Sequence, residues 1–255
     1  MHIIISPAKN LKNRFPEKVK TLTYPEYLNE SNKLMKVLTR KNSGDLMKLM
    51  KINAKLAELN YQRYKKWSSD HNEQNTGPAV FLFNGDVYQG LKADTLSEKE
   101  VNYAQNHLSI LSGLYGILRP LDGIMPYRLE MGTKLVIKKH KDLYQFWDDK
   151  INKLLKMRMQ ISGDNVLVNL ASKEYFKAVV SNKLKCRVIT PVFKDFRNGE
   201  YKLISVYFKK ARGLMTRFII KNQLVDPDEL KLFDFEGYYF NDNLSEGDKL
   251  VFVRD

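Results

Sequence analysis

Hydrophobic and polar positions along the chain follow patterns that predict both strands and helices. Residues 1–5 form a short apolar run that is typical of a buried strand, and the run ends at Ser6-Pro7. Apolar residues at helical spacing predict helices over 25–40 and 45–67. The chain therefore begins with a strand that is followed by helices.

The later elements are predicted from the same periodicities and from turn residues. We predict helices at 97–111, 142–160 and 209–222, and strands at 79–83, 134–138, 166–170 and 250–253. A β-hairpin is predicted from 186–193 and 202–208, because Asn198-Gly199 between them is typical of a tight turn. Strands and helices mix over the whole length. The sequence thus predicts an α/β (mixed α+β) fold, with residues 1–255 as a single compact domain whose mixed β-sheet is surrounded by helices.

The charge of the chain points to a polyanionic partner. There are 43 Lys and Arg against 29 Asp and Glu, a net charge of +14. Residues 226–255 hold nine acidic and three basic side chains, so residues 1–225 carry about +20. Cations that neutralise phosphates release condensed counterions, which favours binding to nucleic acid. The alternative is an organism whose proteins are lysine-rich in general.

Composition also bears on location. No apolar run of about 18 residues is present, so we expect no contact with a membrane. The N-terminus has only a short apolar run and no preceding cation, unlike a secretory signal, and Cys186 is a single cysteine. We therefore expect a cytoplasmic protein.

Residues 209–221 hold five basic side chains and no acidic one. On a helix, Lys210, Arg217 and Lys221 fall within about 40° of one another, beside a continuous apolar face. A row of cations along a packed helix suits contact with a phosphate backbone. The alternative is an ordinary solvated helix face.

Two glycines, Gly113 and Gly116, lie between a predicted helix and a second helical stretch that could start at Ile117. Glycines in a short turn let backbone N–H groups approach a phosphate. This segment looks like a helix-hairpin-helix, although the usual motif spaces its glycines more closely and Pro120 limits the second helix. The alternative is that Gly113 is a simple helix C-cap.

A dispersed polar set follows, centred on Asp86, Arg128, Glu130 and Lys134. Asn169, Ser172 and Lys173 extend the set in the segment NLASKEYFKAV. Such residues form either a buried hydrogen-bonded network or an active site. Asp86 and Glu130 are the candidate catalytic residues of the second interpretation.

Other chemistries lack the residues that they require. The four histidines lie far apart along the chain and from Cys186, so we expect no metal site. Neither a P-loop nor a dinucleotide-binding fingerprint occurs, and there is no GxSxG motif. We therefore expect no cofactor.

Several segments together resemble the YaaA peroxide-stress-resistance family of bacteria. They are IISPAK, MKINAKLAELNYQRYKKW, FNGDVYQGL, LSGLYGILRPLD, PYRLEMGTKL, NLASKEYFKAV, ITPVFK and KKARGLMTRFII, which occur in this order over nearly the whole chain. The resemblance implies a DNA-binding protein of the oxidative-stress response that is associated with recombination and repair. It also implies a link to keeping intracellular unincorporated iron low.

The resemblance further implies a mixed α/β fold with a positively charged cleft and a helix-hairpin-helix. Carried onto this sequence, the hairpin falls at 112–119 and includes Arg119. The implied cations of the cleft are Lys9, Arg128, Lys134, Lys173, Lys209, Lys210, Arg212 and Arg217.

Two hypotheses follow for the function. The first is a sequence-non-specific DNA-binding protein that contacts the backbone of duplex or branched DNA and protects DNA or assists its repair. The second is an enzyme that acts on a nucleic acid or a phosphorylated substrate through Asp86, Arg128, Glu130 and Lys134. Convergence of these four side chains in one accessible pocket would favour the second.

Overall fold

Helices and strands alternate along the chain in the computed structural model, which describes residues 1–12, 22–179 and 181–255. Within these ranges the α-helices are α1 (Leu28–Leu38), α2 (Ser43–Met50), α3 (Ala54–Lys66), α4 (Ala79–Leu82), α5 (Asp86–Leu91), α6 (Glu98–His107), α7 (Leu143–Trp147), α8 (Lys150–Ser162), α9 (Lys173–Phe176), α10 (Ser181–Leu184) and α11 (Ser205–Asn222). The strands are β1 (His2–Ile5), β2 (Asn10–Leu11), β3 (Gly77–Pro78), β4 (Phe83–Asn84), β5 (Leu108–Ser112), β6 (Gly116–Leu118), β7 (Gly123–Ile124), β8 (Val166–Leu170), β9 (Arg187–Ile189), β10 (Val192–Arg197), β11 (Glu200–Lys202), β12 (Tyr239–Phe240) and β13 (Val251–Arg254).

The first apolar run forms the central strand of a five-stranded mixed sheet, whose order is β6-β5-β1-β8-β9. Strand β1 is parallel to both β5 and β8, β9 is parallel to β8, and β6 is antiparallel to β5. All residues of β1 and β8 are buried, which explains why both strands are mostly apolar, with His2 and Asn169 as the polar exceptions. Ile5 pairs with Leu170, so the carboxyl ends of the two strands lie side by side.

The C-terminal part of the chain forms a second sheet of four strands, in the order β11-β10-β13-β12. The Asn198-Gly199 turn joins β10 to β11 as an antiparallel hairpin, as predicted, with both turn residues at positive φ. Phe193 and Phe252 stack inside this sheet with ring centroids 5.4 Å apart. Buried apolar residues of both sheets belong to one hydrophobic cluster that extends from Met1 to Phe252. The fold is mixed α/β, as predicted.

The backbones of helices α5 and α11 approach each other closely where the helices cross, because each helix carries a glycine at the crossing. A Cβ added to Gly90 would lie 2.2 Å from the carbonyl oxygen of Lys210, and one added to Gly213 would lie 1.8 Å from that of Val87. Both values are far below the contact distance of carbon and oxygen. The two glycines therefore set the position of Asp86 on α5 relative to Lys209 on α11.

Several predicted elements differ from the structure. The predicted helix 45–67 is two helices. Lys51 adopts a left-handed conformation that ends α2, and the side chain of Asn53 caps α3 by accepting a hydrogen bond from the amide of Leu56. The predicted helix 97–111 ends at His107, and the apolar residues after it form β5. The predicted strand 79–83 is mostly α4, and the predicted strand 134–138 is not formed.

The limbs of the predicted hairpin also differ. The first predicted limb, 186–193, is divided between the two sheets. Its residues Arg187–Ile189 form β9 of the first sheet, whereas its last residues, from Val192, begin β10 of the second. From Ser205 onward the second predicted limb is helical, as the start of α11. No helix of the described residues combines the length and the apolar character that a membrane span requires.

Candidate functional site

An open cleft of about 520 Å³ lies beyond the carboxyl ends of β1 and β8. Ser6 follows β1 and Ser172 follows β8, and the two hydroxyls are 3.3 Å apart at the base of the cleft. The amide N–H of Ser172 also donates to Oγ of Ser6, at 2.9 Å. Crevices beyond the carboxyl ends of parallel strands are where open α/β sheets bind ligands. The position of the cleft therefore makes it the first candidate site.

One wall of the cleft is the extended segment that carries Arg128 and Glu130. Nη2 of Arg128 donates to Oε1 of Glu130 at 2.8 Å, and Nζ of Lys9 lies 3.3 Å from the same oxygen. Nε of Arg128 is buried and has no hydrogen-bond acceptor among the described residues. Tyr64 of α3 holds the segment from behind by donating to the backbone carbonyl of Arg128. This wall thus combines one carboxylate with two cations.

The opposite wall is formed by α5 and α11. Nζ of Lys209 lies 3.8 Å from Oδ2 of Asp86. Arg212 lies three residues after Lys209, on the same face of α11, and its guanidinium carbon lies 5.0 Å from the centre of the Phe208 ring. Burial lowers the pKa of Arg212, although an arginine stays protonated at neutral pH. Within residues 1–12, 22–179 and 181–255, Arg212 has neither a carboxylate nor a hydrogen-bond acceptor as its partner.

Tyrosine rings line the interior of the cleft without adding negative charge. Tyr88, Tyr127 and Tyr175 are buried there, and burial raises the pKa of each hydroxyl well above its usual value. Tyr127 shares a 2.6 Å hydrogen bond with Ser112, and Tyr88 donates to the carbonyl of Ser6. The tyrosines stay protonated at physiological pH, so the negative charge of the cleft comes from its carboxylates alone.

The predicted helix-hairpin-helix at 112–119 is wrong. Residues 108–118 form the antiparallel pair β5–β6, because this apolar segment completes the edge of the central sheet. Gly113 packs against the backbone of Leu129, where a Cβ would lie 2.2 Å from the carbonyl oxygen. Gly116 has a φ of +73° and faces Trp147. The glycine turn is therefore buried, and it supports the wall of the cleft behind Arg128 and Glu130.

A neutral histidine stabilises the same turn. The hydroxyl oxygen of Tyr115 accepts from Nε1 of Trp67 at 3.1 Å and from the amide of Met125 at 3.2 Å. Its proton therefore points to Nε2 of His71, 3.1 Å away, which must be unprotonated to accept it. Burial lowers the pKa of His71 to about 4.

The cations predicted as a row on α11 are engaged by the protein itself. Lys210 lies 2.6 Å from a carboxylate oxygen of Glu236, and Lys221 lies 3.7 Å from one of Glu100. Arg217 donates to the carbonyl oxygens of Leu91 and Lys92, both at 3.1 Å, and so closes the C-terminal end of α5. These three side chains stabilise the fold rather than form a free cationic row.

The remaining predicted residues lie outside the cleft. Arg119 pairs with the buried Asp122 at 3.4 Å and lines a separate cavity. Lys134 and Lys173 are exposed and do not line the cleft. Asn169 accepts from the amide of Ala171 and thereby turns the chain after β8. Of the predicted polar centre, the structure brings together Asp86, Arg128 and Glu130, but not Lys134.

A basic surface that the sequence interpretation missed lies on α1, α2 and α3. Residues 28–66 contain ten basic and three acidic side chains. Seven of the cations are exposed and have no carboxylate within 4 Å in the described part of the chain. They are Lys36, Arg40, Lys48, Lys51, Lys55, Lys65 and Lys66, which we call the helical basic surface. The local excess of cations was visible in the sequence, but no motif marked it.

Chemistry based on metal or thiol has little support in these residues. In the ranges that the structure describes, no three His, Cys, Asp or Glu side chains come together as a metal site would require. Cys186 is half-buried, and burial raises the pKa of its thiol, which lowers its reactivity.

Comparison with known proteins places this mixed α/β protein in a family. The family described as "Peroxide stress protein YaaA" matches residues 1–244. A UPF0246 protein of Aliivibrio fischeri (strain ATCC 700601 / ES114) is 49% identical over 255 residues, which covers 100% of this chain and 98% of the relative. UPF0246 proteins of Neisseria meningitidis serogroup B and Alteromonas mediterranea are 49% and 50% identical, with the same coverage. The chain belongs to the YaaA family of peroxide stress proteins.

Proposed function

We propose that this protein binds DNA without sequence specificity during peroxide stress and thereby protects the DNA or assists its repair. The membership of the peroxide stress family supports the stress context. The observation that carries DNA binding is the helical basic surface, whose seven exposed cations have no carboxylate partner among the described residues. Such cations gain most from a polyanion, because each phosphate that they contact releases counterions.

The chemistry of this surface suits contact with the DNA backbone rather than with bases. Its charged groups are mostly lysine ammonium groups on flexible side chains, which act as point charges toward phosphates. Contacts with phosphate position a protein on DNA and carry no sequence information directly. We further propose that the effect on free iron is indirect, because no three His, Cys, Asp or Glu side chains of the described residues are arranged to hold a metal ion.

Neutralising three lysines around the α2–α3 turn, as Lys48→Gln, Lys51→Gln and Lys55→Gln, should weaken binding to duplex DNA on the order of 100-fold at low salt. The reason is the loss of about three phosphate contacts, and fluorescence anisotropy with a labelled duplex measures it. The fold should be unaffected, since all three side chains are exposed.

The matched control is the triple variant Lys202→Gln, Lys231→Gln and Lys249→Gln. These lysines are also exposed and lie in the C-terminal part of the chain, so the control has the same net charge as the test variant. We expect the control to bind DNA within about threefold of the wild type. Equal losses in both triple variants would show that total charge, rather than the helical basic surface, accounts for binding.

The convergence of Asp86, Arg128 and Glu130 in the cleft favours a second proposed function, action on a phosphorylated substrate. A carboxylate beside cations can orient a substrate or accept a proton from it. The cleft volume of about 520 Å³ lies in the range of small-molecule sites, roughly 300–1,000 Å³. This function would be independent of the helical basic surface.

A further inference from the structure

Every cation that lines the cleft lies within 4 Å of a carboxylate oxygen, except one. Asp86 lies beside Lys209, and Glu130 is shared by Arg128 and Lys9. Glu174, at the rim, is exposed and accepts from the amide of Gly132 at 2.8 Å. Arg212 alone lacks a partner of opposite charge in the described parts of the chain. A partly buried cation without a counter-charge is unfavourable, so the cleft is electrostatically suited to one added anion.

The donors in the cleft suit a phosphate group in particular. The guanidinium of Arg212 presents a planar set of N–H donors, and such a fork matches two oxygens of a phosphate. Lys209 lies on the same face of α11, so its ammonium group can approach the same anion. The two serine hydroxyls at the base of the cleft, on Ser6 and Ser172, add neutral hydrogen-bonding groups.

The rest of the cleft suits a flat, largely apolar body. Tyr127, Tyr88 and Phe208 contribute aromatic rings to the lining, and Leu129 and Leu170 contribute aliphatic surface. Arginine and aromatic side chains both stack on the faces of nucleic-acid bases. An anion subsite beside a ring-lined space of about 520 Å³ fits a phosphate joined to a ring system.

We propose that this cleft binds a single nucleotide unit, with its phosphate on Arg212 and Lys209 and its base against the aromatic lining. The unit is either a free nucleoside monophosphate or one unpaired nucleotide of a DNA strand, since both present the same chemistry. This inference deepens the second proposed function, because it names the class of ligand for the cleft. It does not depend on binding of duplex DNA by the helical basic surface.

The test is isothermal titration calorimetry of the full chain with 2′-deoxyadenosine 5′-monophosphate. Deoxyadenosine without the phosphate is the comparison ligand. We expect the wild type to bind the monophosphate at least tenfold more tightly than the nucleoside. Arg212→Gln should weaken binding of the monophosphate about tenfold or more, since it removes a charge-assisted contact. Arg197→Gln, an exposed change at the end of β10 and outside both proposed sites, should leave that affinity unchanged.

Two further measurements separate the possible outcomes. Arg212→Lys keeps the charge and should recover part of the affinity, which loss of folding in Arg212→Gln would not explain. A single-stranded oligonucleotide that displaces the monophosphate identifies an unpaired nucleotide of DNA as the source, whereas failure to displace it identifies a free nucleotide. The proposal is overturned if neither probe binds at millimolar concentration, or if folded Arg212→Gln binds like the wild type. Loss of duplex binding in the Lys48/Lys51/Lys55 variant with unchanged monophosphate binding would support both sites separately.

Discussion

Gly213→Ala should lower the free energy of unfolding by about 3 kcal/mol. The added methyl group would lie 1.8 Å from the carbonyl oxygen of Val87, which belongs to the backbone of α5 and cannot rotate away. The two helices must separate to relieve the clash, so the Asp86 wall of the cleft moves relative to Arg212. Urea denaturation followed by circular dichroism measures the loss of stability, and the nucleotide titration measures the loss of the cleft.

Gly44→Ala is the matched control for this substitution. Gly44 lies in the first turn of α2, and its added Cβ would meet only the side-chain oxygen of Asn42, at 3.2 Å. The helical preference of alanine over glycine offsets this contact, so we expect a change within about 1 kcal/mol. A Gly213→Ala variant as stable as Gly44→Ala would contradict the close crossing of α5 and α11.

Asp164→Asn should destabilise the protein by about 3–5 kcal/mol at neutral pH, because it leaves the buried amino group of Met1 without its counter-charge. The Asp164 carboxylate lies 2.6 Å from the amino group of Met1 and 2.8 Å from Nδ1 of His107, and it accepts from the hydroxyl of Ser162 at 2.7 Å. Its side chain is only 4% exposed. These contacts join the amino ends of β1, β5 and β8, whereas the cleft lies beyond the carboxyl ends of β1 and β8.

The loss of stability in Asp164→Asn should depend on pH. Burial alone would raise the pKa of Asp164, but its contacts with His107, His2, the amino group of Met1 and Ser162 outweigh burial and hold the pKa far below its usual value. A carboxylate with a lowered folded-state pKa stabilises the protein above its unfolded pKa, about 3.9, and this contribution decreases as the pH falls further. The difference between the wild type and Asp164→Asn should therefore be largest near pH 7 and shrink below about pH 4.

The exposed substitution Asp228→Asn provides the comparison for Asp164→Asn. Asp228 pairs with Lys231 one turn away, at the surface, and solvent screens this pair. We expect its denaturation midpoint to match that of the wild type at every pH. If Asp164→Asn also showed no loss of stability at neutral pH, the contacts of this carboxylate would not stabilise the amino ends of the central strands.

Local signals predicted part of the fold correctly. Residues 1–5 were predicted as a buried strand and 166–170 as a strand because both segments are mostly apolar, and both lie at the centre of the sheet. The helix predicted from residue 97 begins at Glu98, where Ser97 and Glu100 form the reciprocal hydrogen bonds of a capping box, at 3.3 and 2.7 Å. These features depend on neighbours in the sequence, so the sequence was sufficient to predict them.

Long-range pairing accounts for the main error in the fold. The residues of β5 follow α6 without a proline or glycine, and their apolar character fits a helix as well as a strand. Pairing of Ile3 with Leu108 and of Ile5 with Ile110 makes this segment a strand. Periodicity cannot reveal such a partner about a hundred residues away in the chain. The helix-hairpin-helix prediction failed for this reason.

The candidate site was predictable in its residue types but not in its pairing. Asp86, Arg128 and Glu130 were recognised as polar residues within apolar segments, and they do line one cleft. Lys210 and Lys221 appeared free on the helix, because their partners Glu236 and Glu100 come from distant segments. Free and engaged cations can be told apart only once the tertiary contacts are known.

The affinity of the wild-type protein for duplex DNA, measured over a series of salt concentrations, tests the central claim most directly. Each phosphate contact contributes about −0.9 to the slope of log K against log salt concentration. Engagement of between three and seven cations of the helical basic surface predicts a slope of about −3 to −6. A slope near zero, or no binding at low salt, would contradict DNA binding through this surface.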